Sequence, residues 1–186
     1  MSDAAAGKLR KTVVLVGMMG AGKTAVGRAL AASLSVPFLD SDAEIETAAA
    51  MSIAEIFARD GEVFFRDRET EVIDRLLDAG CGVLSTGGGA FLSARNRALI
   101  SGKGVSVWLN ADLPLLWARV KHKDTRPLLR TDDPYGTLKA LYGARAPVYA
   151  EADLQVVSRA EYPIEMMTRK VIEALLTRPD VLEGAP

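Results

Sequence analysis

The residues Val13-Val14-Leu15-Val16 run without a break into Gly17-Met18-Met19-Gly20-Ala21-Gly22-Lys23-Thr24. The second stretch fits G-x-x-x-x-G-K-[ST], and few sequence features constrain a fold as tightly. Its glycines let the backbone curl until successive N–H groups point inward at phosphate oxygens, and the helix that follows adds its positive end. Lys23 is placed to reach β- and γ-phosphates, and the Thr24 hydroxyl to ligate Mg²⁺. The pattern requires a buried strand before the loop and a helix after it. It therefore predicts an α/β protein that binds a nucleoside triphosphate.

The rest of the chain keeps that alternation. Short aliphatic runs at Val13–Val16, Pro37–Leu39, Gly82–Leu84, Val105–Leu109 and Leu154–Val157 read as strands covered on both faces of a parallel sheet. Between them lie segments of helical period: Ala25–Ser33, Ala43–Met51, Ile53–Ala58, Glu62–Leu77, Ala94–Ser101, Leu113–Val120, Gly136–Tyr149 and Ile164–Thr177. Ser52 followed by Glu55 is a capping-box signature. The implied architecture is a three-layer sandwich, a five-stranded parallel sheet flanked by helices, with ligands beyond the carboxyl ends of the strands. About forty residues separate the second and third strands, so extra helices must project there. Lys121–Pro134 is polar, charged and carries two prolines, and reads as a lid.

Composition narrows the chemistry. The 186 residues make one domain, and 23 basic against 24 acidic side chains leave no cationic excess for a nucleic acid. One cysteine, Cys81, and one histidine, His122, exclude a disulfide framework and a zinc cage; a Ser-His-Asp hydrolase would have to rely on His122 alone. No apolar run reaches the ~20 residues of a membrane span, and Met1–Lys11 lacks the apolar core of a secretory signal. A cytoplasmic monomer without nucleic-acid or membrane partners is expected, its ends (1–10 and 178–186) flexible tails. The phosphate loop alone fits a kinase, an ATPase, a GTPase or a motor, although the Asn-Lys-x-Asp guanine reader of a GTPase is missing.

Polar residues after the other strands sharpen this. Asp40 and Asp42 stand two apart where the second strand ends, spaced to look into one cleft. One could serve the Mg²⁺ hydration shell and the other an acceptor hydroxyl, while Asp42 could equally be the N-cap of the next helix. Arg66 and Glu69 lie three apart on a predicted helix; the spacing favours a solvent-facing ion pair, the alternative being that Glu69 aims Arg66 at an anion. Gly87-Gly88-Gly89 fits a backbone brought close to a ligand, or a flexible loop. Arg126 in the lid could stabilise a transferring phosphoryl group, and Arg145 could clamp a carboxylate; either could be a surface charge.

Taken in order, G-x-x-G-x-G-K-T, D-x-D, G-E-x-x-F-R-x-x-E, G-G-G, R-P-L-L and R-x-P-x-Y closely resemble the shikimate kinase family across Val13–Thr177. The resemblance implies a P-loop kinase fold, with a kinase core over 11–177, an acceptor-binding region over 40–80 and a lid over 121–134. It also implies transfer of the ATP γ-phosphate to the 3-hydroxyl of shikimate, on the route to chorismate and the aromatic amino acids. By matching position, Gly20, Ala21, Gly22, Lys23, Thr24 and Ala25 resemble the phosphate cradle, with Thr24 a magnesium ligand and Asp40 holding Mg²⁺ through water. Asp42 resembles the residue that binds the shikimate hydroxyls and acts as base. Arg66, Gly87, Gly88, Gly89 and Arg145 resemble the substrate site, and Arg126 the lid arginine on the phosphates. Arg119 matches a position that stacks on adenine, with Pro163 bordering its other side. The alternatives are a kinase for another polyhydroxy acid such as gluconate, and a nucleotide-binding module without turnover.

Overall fold

The computed structural model describes residues 7–122 and 129–184. Its core is built from the aliphatic runs. Strands β1 (Lys8–Leu9), β2 (Thr12–Val16), β3 (Phe38–Asp40), β4 (Val83–Ser85), β5 (Gly104–Asn110), β6 (Leu154–Val157) and β7 (Leu182–Glu183) are joined by seven α-helices among the described residues. These are α1 (Lys23–Leu34), α2 (Ser41–Ala49), α3 (Ile53–Asp78), α4 (Ala94–Lys103), α5 (Leu113–Val120), α6 (Pro134–Tyr149) and α7 (Ile164–Leu176). Five strands form one parallel sheet in the order β3-β4-β2-β5-β6. Val13, Val14, Leu15 and Val16 are wholly buried in its centre, as are Val83, Leu84, Val105, Val107 and Leu109. Such strands have no solvent face, so their sequences do not alternate.

Helix α1 packs with α7, and α4 packs with α3, over the sheet. The chain leaves β2 for the β3 edge, returns to β4, then crosses to β5 and β6 on the other side. The direction of winding reverses at β2, and ligand clefts of such sheets open at that point beyond the carboxyl ends. The forty residues between β3 and β4 form α2 and the long α3. Helix α3 is interrupted at Gly61 (φ 84°, ψ 173°), so the two helical segments expected there lie on either side of a kink. Ser52 caps its start, its hydroxyl accepting from Glu55 N–H at 3.1 Å. Asp133 does the same for α6, accepting from Gly136 N–H at 3.0 Å. None of the described helices is long and apolar enough to cross a membrane.

The ends differ from expectation. Residues near both termini, expected as flexible tails, pair instead: β1 and β7 run antiparallel with Lys8 opposite Glu183 and Leu9 opposite Leu182. Val181 and Leu182 are 0% and 1% exposed, and Arg10 N–H donates to the Val181 carbonyl at 2.7 Å. Arg10–Glu183 and Lys11–Asp180 ion pairs flank the clasp. The physical reason is burial of a two-residue apolar pair against α7, too brief to register as a strand from periodicity. Residues 1–6 and 185–186 lie outside the described residues.

Candidate functional site

The phosphate loop takes the conformation its glycines permit. Gly20 (φ 82°) and Gly22 (φ 93°) occupy left-handed backbone that a side chain would strain. Gly22 is the N-cap of α1, so no cap side chain covers the helix's first N–H groups, and the first turn has no acid. Those donors are open to an anion. The Lys23 ammonium donates to the Gly17 and Met18 carbonyls at 2.7 and 3.0 Å, arched back over the loop. Arg119, from α5, donates to the Gly20 carbonyl at 3.0 Å and so sits at the loop's rim. Burial pulls its guanidinium below its ordinary range.

A cleft of about 760 Å³ opens there. Gly20 to Ala25, Asp40, Asp42, Gly87, Gly88 and Arg119 line it, which puts most of the expected site on one wall system. Ser158, Tyr162, Ile164 and Met167 line it as well. Pro163 is the N-cap of α7 between two of these and is not itself part of the lining. The sequence reading missed these residues; the available signal was Ser158, one residue beyond the carboxyl end of β6.

The two aspartates divide their labour at the turn from β3 to α2. Asp40 is the N-cap, its carboxylate accepting from the N–H groups of Asp42 (2.9 Å) and Ala43 (3.2 Å). The helix therefore begins earlier than a cap at Asp42 would require, and Asp42 stands in its first turn rather than on extended chain. Its carboxyl is left free of the capping role. Burial pushes it up to about 6, Asp40 and Glu69 add to the rise, and Lys23 opposes it.

The triple glycine meets three of the expected substrate residues in turn. A Cβ at Gly87 would lie 2.7 Å from Asp42 Oδ1, one at Gly88 3.1 Å from Arg145 Nη1, and one at Gly89 2.6 Å from Arg66 Nη2. These contacts explain the glycines by space rather than by flexibility. Arg66 pairs with Glu69 at 2.9 Å, but Glu69 is 1% exposed, so this is not the solvent-facing pair the spacing favoured. A buried carboxylate fixes the guanidinium from behind; burial raises Glu69 and the charge of Arg66 counteracts it. Arg145 Nη1 is buried and has no hydrogen-bond partner among the described residues. An N–H in that state is left for an acceptor from outside the fold, a water or a ligand.

Two further ties hold the loop. Tyr149 donates its phenol to the Gly88 carbonyl at 2.5 Å. Asn96 donates to the Ala90 carbonyl at 2.9 Å, and its own carbonyl oxygen accepts from Thr70 on α3 at 2.8 Å. Arg126 and the middle of the lid, residues 123–128, lie outside the described residues.

Thr24 and Asp40 both face the cleft, and a hydroxyl with a carboxylate is the oxygen donor set that suits magnesium. Among the described residues no three carboxylate, histidine or cysteine side chains cluster as a metal cage. Any magnesium here would share its coordination with phosphate and water, as that ion prefers.

Residues 19–176 match the family model described as shikimate kinase. A shikimate kinase of Ruegeria pomeroyi is 70% identical over 97% of this chain and 93% of its own length. One from Cereibacter sphaeroides is 65% identical over 95% of this chain and 88% of its own. Among solved structures, a shikimate kinase from Acinetobacter baumannii in complex with shikimate superposes with a TM-score of 0.83 at 39% identity, covering 90% of this chain and 93% of that one.

Proposed function

The chain belongs to the shikimate kinase family, and from that membership we propose that its cleft transfers the γ-phosphoryl group of ATP to the 3-hydroxyl of shikimate, giving shikimate 3-phosphate and ADP. The observation that carries this reading is that Asp42, Arg145 and Arg66 fill the space a side chain would need at Gly87, Gly88 and Gly89. Shikimate is a small carboxylated triol. Two guanidiniums suit its carboxylate, one of them with a buried N–H lacking a partner among the described residues. A carboxylate at the cleft side suits its hydroxyls.

The donor half follows from the phosphate loop. ATP lays its phosphates on the N–H groups of Gly20 to Ala25, where the start of α1 favours negative charge. Lys23 leaves its carbonyl partners for the β- and γ-oxygens and neutralises charge as the phosphoryl group moves. Magnesium, when bound, would supply positive charge against the phosphate oxygens; Thr24 would hold it directly and Asp40 through water. Arg119 and the Ser158–Met167 lining of the cleft take the base. Arg126 joins the proposal as a phosphate contact through its place in R-P-L-L.

Asp42 accepts the proton as the acceptor oxygen bonds to the γ-phosphorus and the bond to ADP breaks. With its carboxyl pushed up to about 6, it is ionised at neutral pH yet basic enough to take that proton. Arg66, braced by Glu69, and Arg145 fix the carboxylate end, so the 3-hydroxyl has one orientation. ATP as donor goes with a cytoplasmic location.

A coupled assay for ADP release tests this reading. Shikimate should support turnover with magnesium and ATP, and gluconate should not. Turnover with gluconate alone would reassign the acceptor, and nucleotide binding without turnover on either acid would refute the kinase reading.

A further inference from the structure

One residue of the R-x-P-x-Y motif is left without a task in this scheme. Tyr149 lies one helical turn beyond Arg145 on α6 and is 1% exposed. Its ring packs between Phe91, at 6.5 Å between centroids, and Trp108, at 6.1 Å. Packing alone would be served by phenylalanine, and burying a hydroxyl there costs free energy unless it is bonded. The phenol is bonded on two sides: it donates to the Gly88 carbonyl at 2.5 Å, and the Arg145 guanidinium hydrogen-bonds to its oxygen.

Gly88 is also the residue that Arg145 overhangs: its Cβ position would be 3.1 Å from Arg145 Nη1, the buried N–H without a partner among the described residues. We propose that Tyr149 is a positioning residue for acceptor binding: its phenol bridges the Gly88 carbonyl and the Arg145 guanidinium, and so holds the guanidinium over the glycine loop where the substrate's carboxylate meets it. The phenol also pins the glycine loop to the helix that carries Arg145, so the distance between loop and clamp is set by one hydrogen bond. Tyr149 touches no substrate and acts through Arg145 and Gly88. The inference rests on the acceptor site proposed above.

Removing only the hydroxyl tests it. In Tyr149→Phe that bridge is lost, and the Arg145 guanidinium must be ordered by each incoming carboxylate. A hydrogen bond of ordinary net strength makes this a rise of roughly five- to tenfold in the shikimate KM. The KM for ATP should stay within about twofold of wild type, because the phosphate loop takes no part. In an Arg145→Ala background the same Tyr149→Phe change should leave the shikimate KM unaltered, since no guanidinium remains to be positioned. A hydroxyl of merely structural value would lower the melting temperature and leave the shikimate KM where it was, which would overturn the proposal. Equal KM increases in both backgrounds, or a parallel rise in the KM for ATP, would overturn it too. Wild-type protein is assayed beside the variants: its failure to phosphorylate shikimate would refute the underlying acceptor reading, whereas an active wild type with an unchanged Tyr149→Phe KM would refute this inference alone.

Discussion

Replacing Asp42 with asparagine should make the protein more stable and nearly inactive. In the fold the Asp42 carboxyl is pushed from 3.8 up to about 6, first by burial, then by the charges of Asp40 and Glu69. The anion is therefore less well tolerated in the native state than in the unfolded chain. Below pH 3.8 the group is protonated in both states and costs nothing. Between there and about pH 6 the unfolded chain ionises while the native state resists, so stability is lost as pH rises. Above that range the full cost is present, at most about 3 kcal/mol for a displacement of this size. The amide of Asp42→Asn would keep the shape and remove the charge. At about pH 7.5 the ligand-free variant should be more stable by up to about 3 kcal/mol, a rise of roughly 6–12 °C in melting temperature. Thermal melts of both proteins from about pH 4 to 8, at one ionic strength, measure it. The gain should be full at the alkaline end and fade towards the acid end, while turnover falls by roughly 10²- to 10⁴-fold. A gain that is flat with pH, or absent at the alkaline end, would refute the electrostatic reasoning.

The same group shapes the pH–rate profile. The kcat/KM for shikimate should fall as pH drops below about 6, and this limb should be missing from the residual activity of Asp42→Asn. Arg145→Ala should raise the shikimate KM by about 10- to 150-fold, the worth of hydrogen bonds to a charged group, and leave the KM for ATP near wild type. Lys23→Ala should cut turnover by roughly 10²- to 10³-fold, the usual cost of losing one electrostatic contact to the transition state; steady-state kinetics check both. Truncation after Thr177 removes the buried Val181 and Leu182 and should cost about 3–6 kcal/mol, read as a lower urea midpoint.

What could be read from the sequence depended on how local each signal was. The phosphate loop, the parallel strands and most helices announce themselves within a dozen residues, and Leu113–Val120 is helical over the span expected. The residues of the proposed site were also legible in their motifs, but the structural parts played by Asp40 and Glu69 were not. Asp40 caps α2 because the chain turns at that residue, a fact of backbone direction that alternation along a strand does not encode. Glu69 looks like half of a surface pair because its neighbours in sequence are charged; only the packing of α3 buries it. The Ser158–Met167 lining of the cleft comes from residues with no shared pattern, gathered by the return of β6 and α7 to the phosphate loop. The β1–β7 clasp joins segments of two residues that lie at opposite ends of the fold's sequence, and no periodicity spans that distance.

That clasp bears on how the chain is made. Lys8 and Leu9 leave the ribosome long before their partners, Leu182 and Glu183. The phosphate loop and its sheet can assemble while translation continues, but the first strand must wait, unpaired, for the whole domain to follow it. Its closure reports that every element of the kinase fold has been synthesised. A nascent chain stalled just short of β7 would hold the nucleotide cleft on a scaffold whose two ends have not yet met.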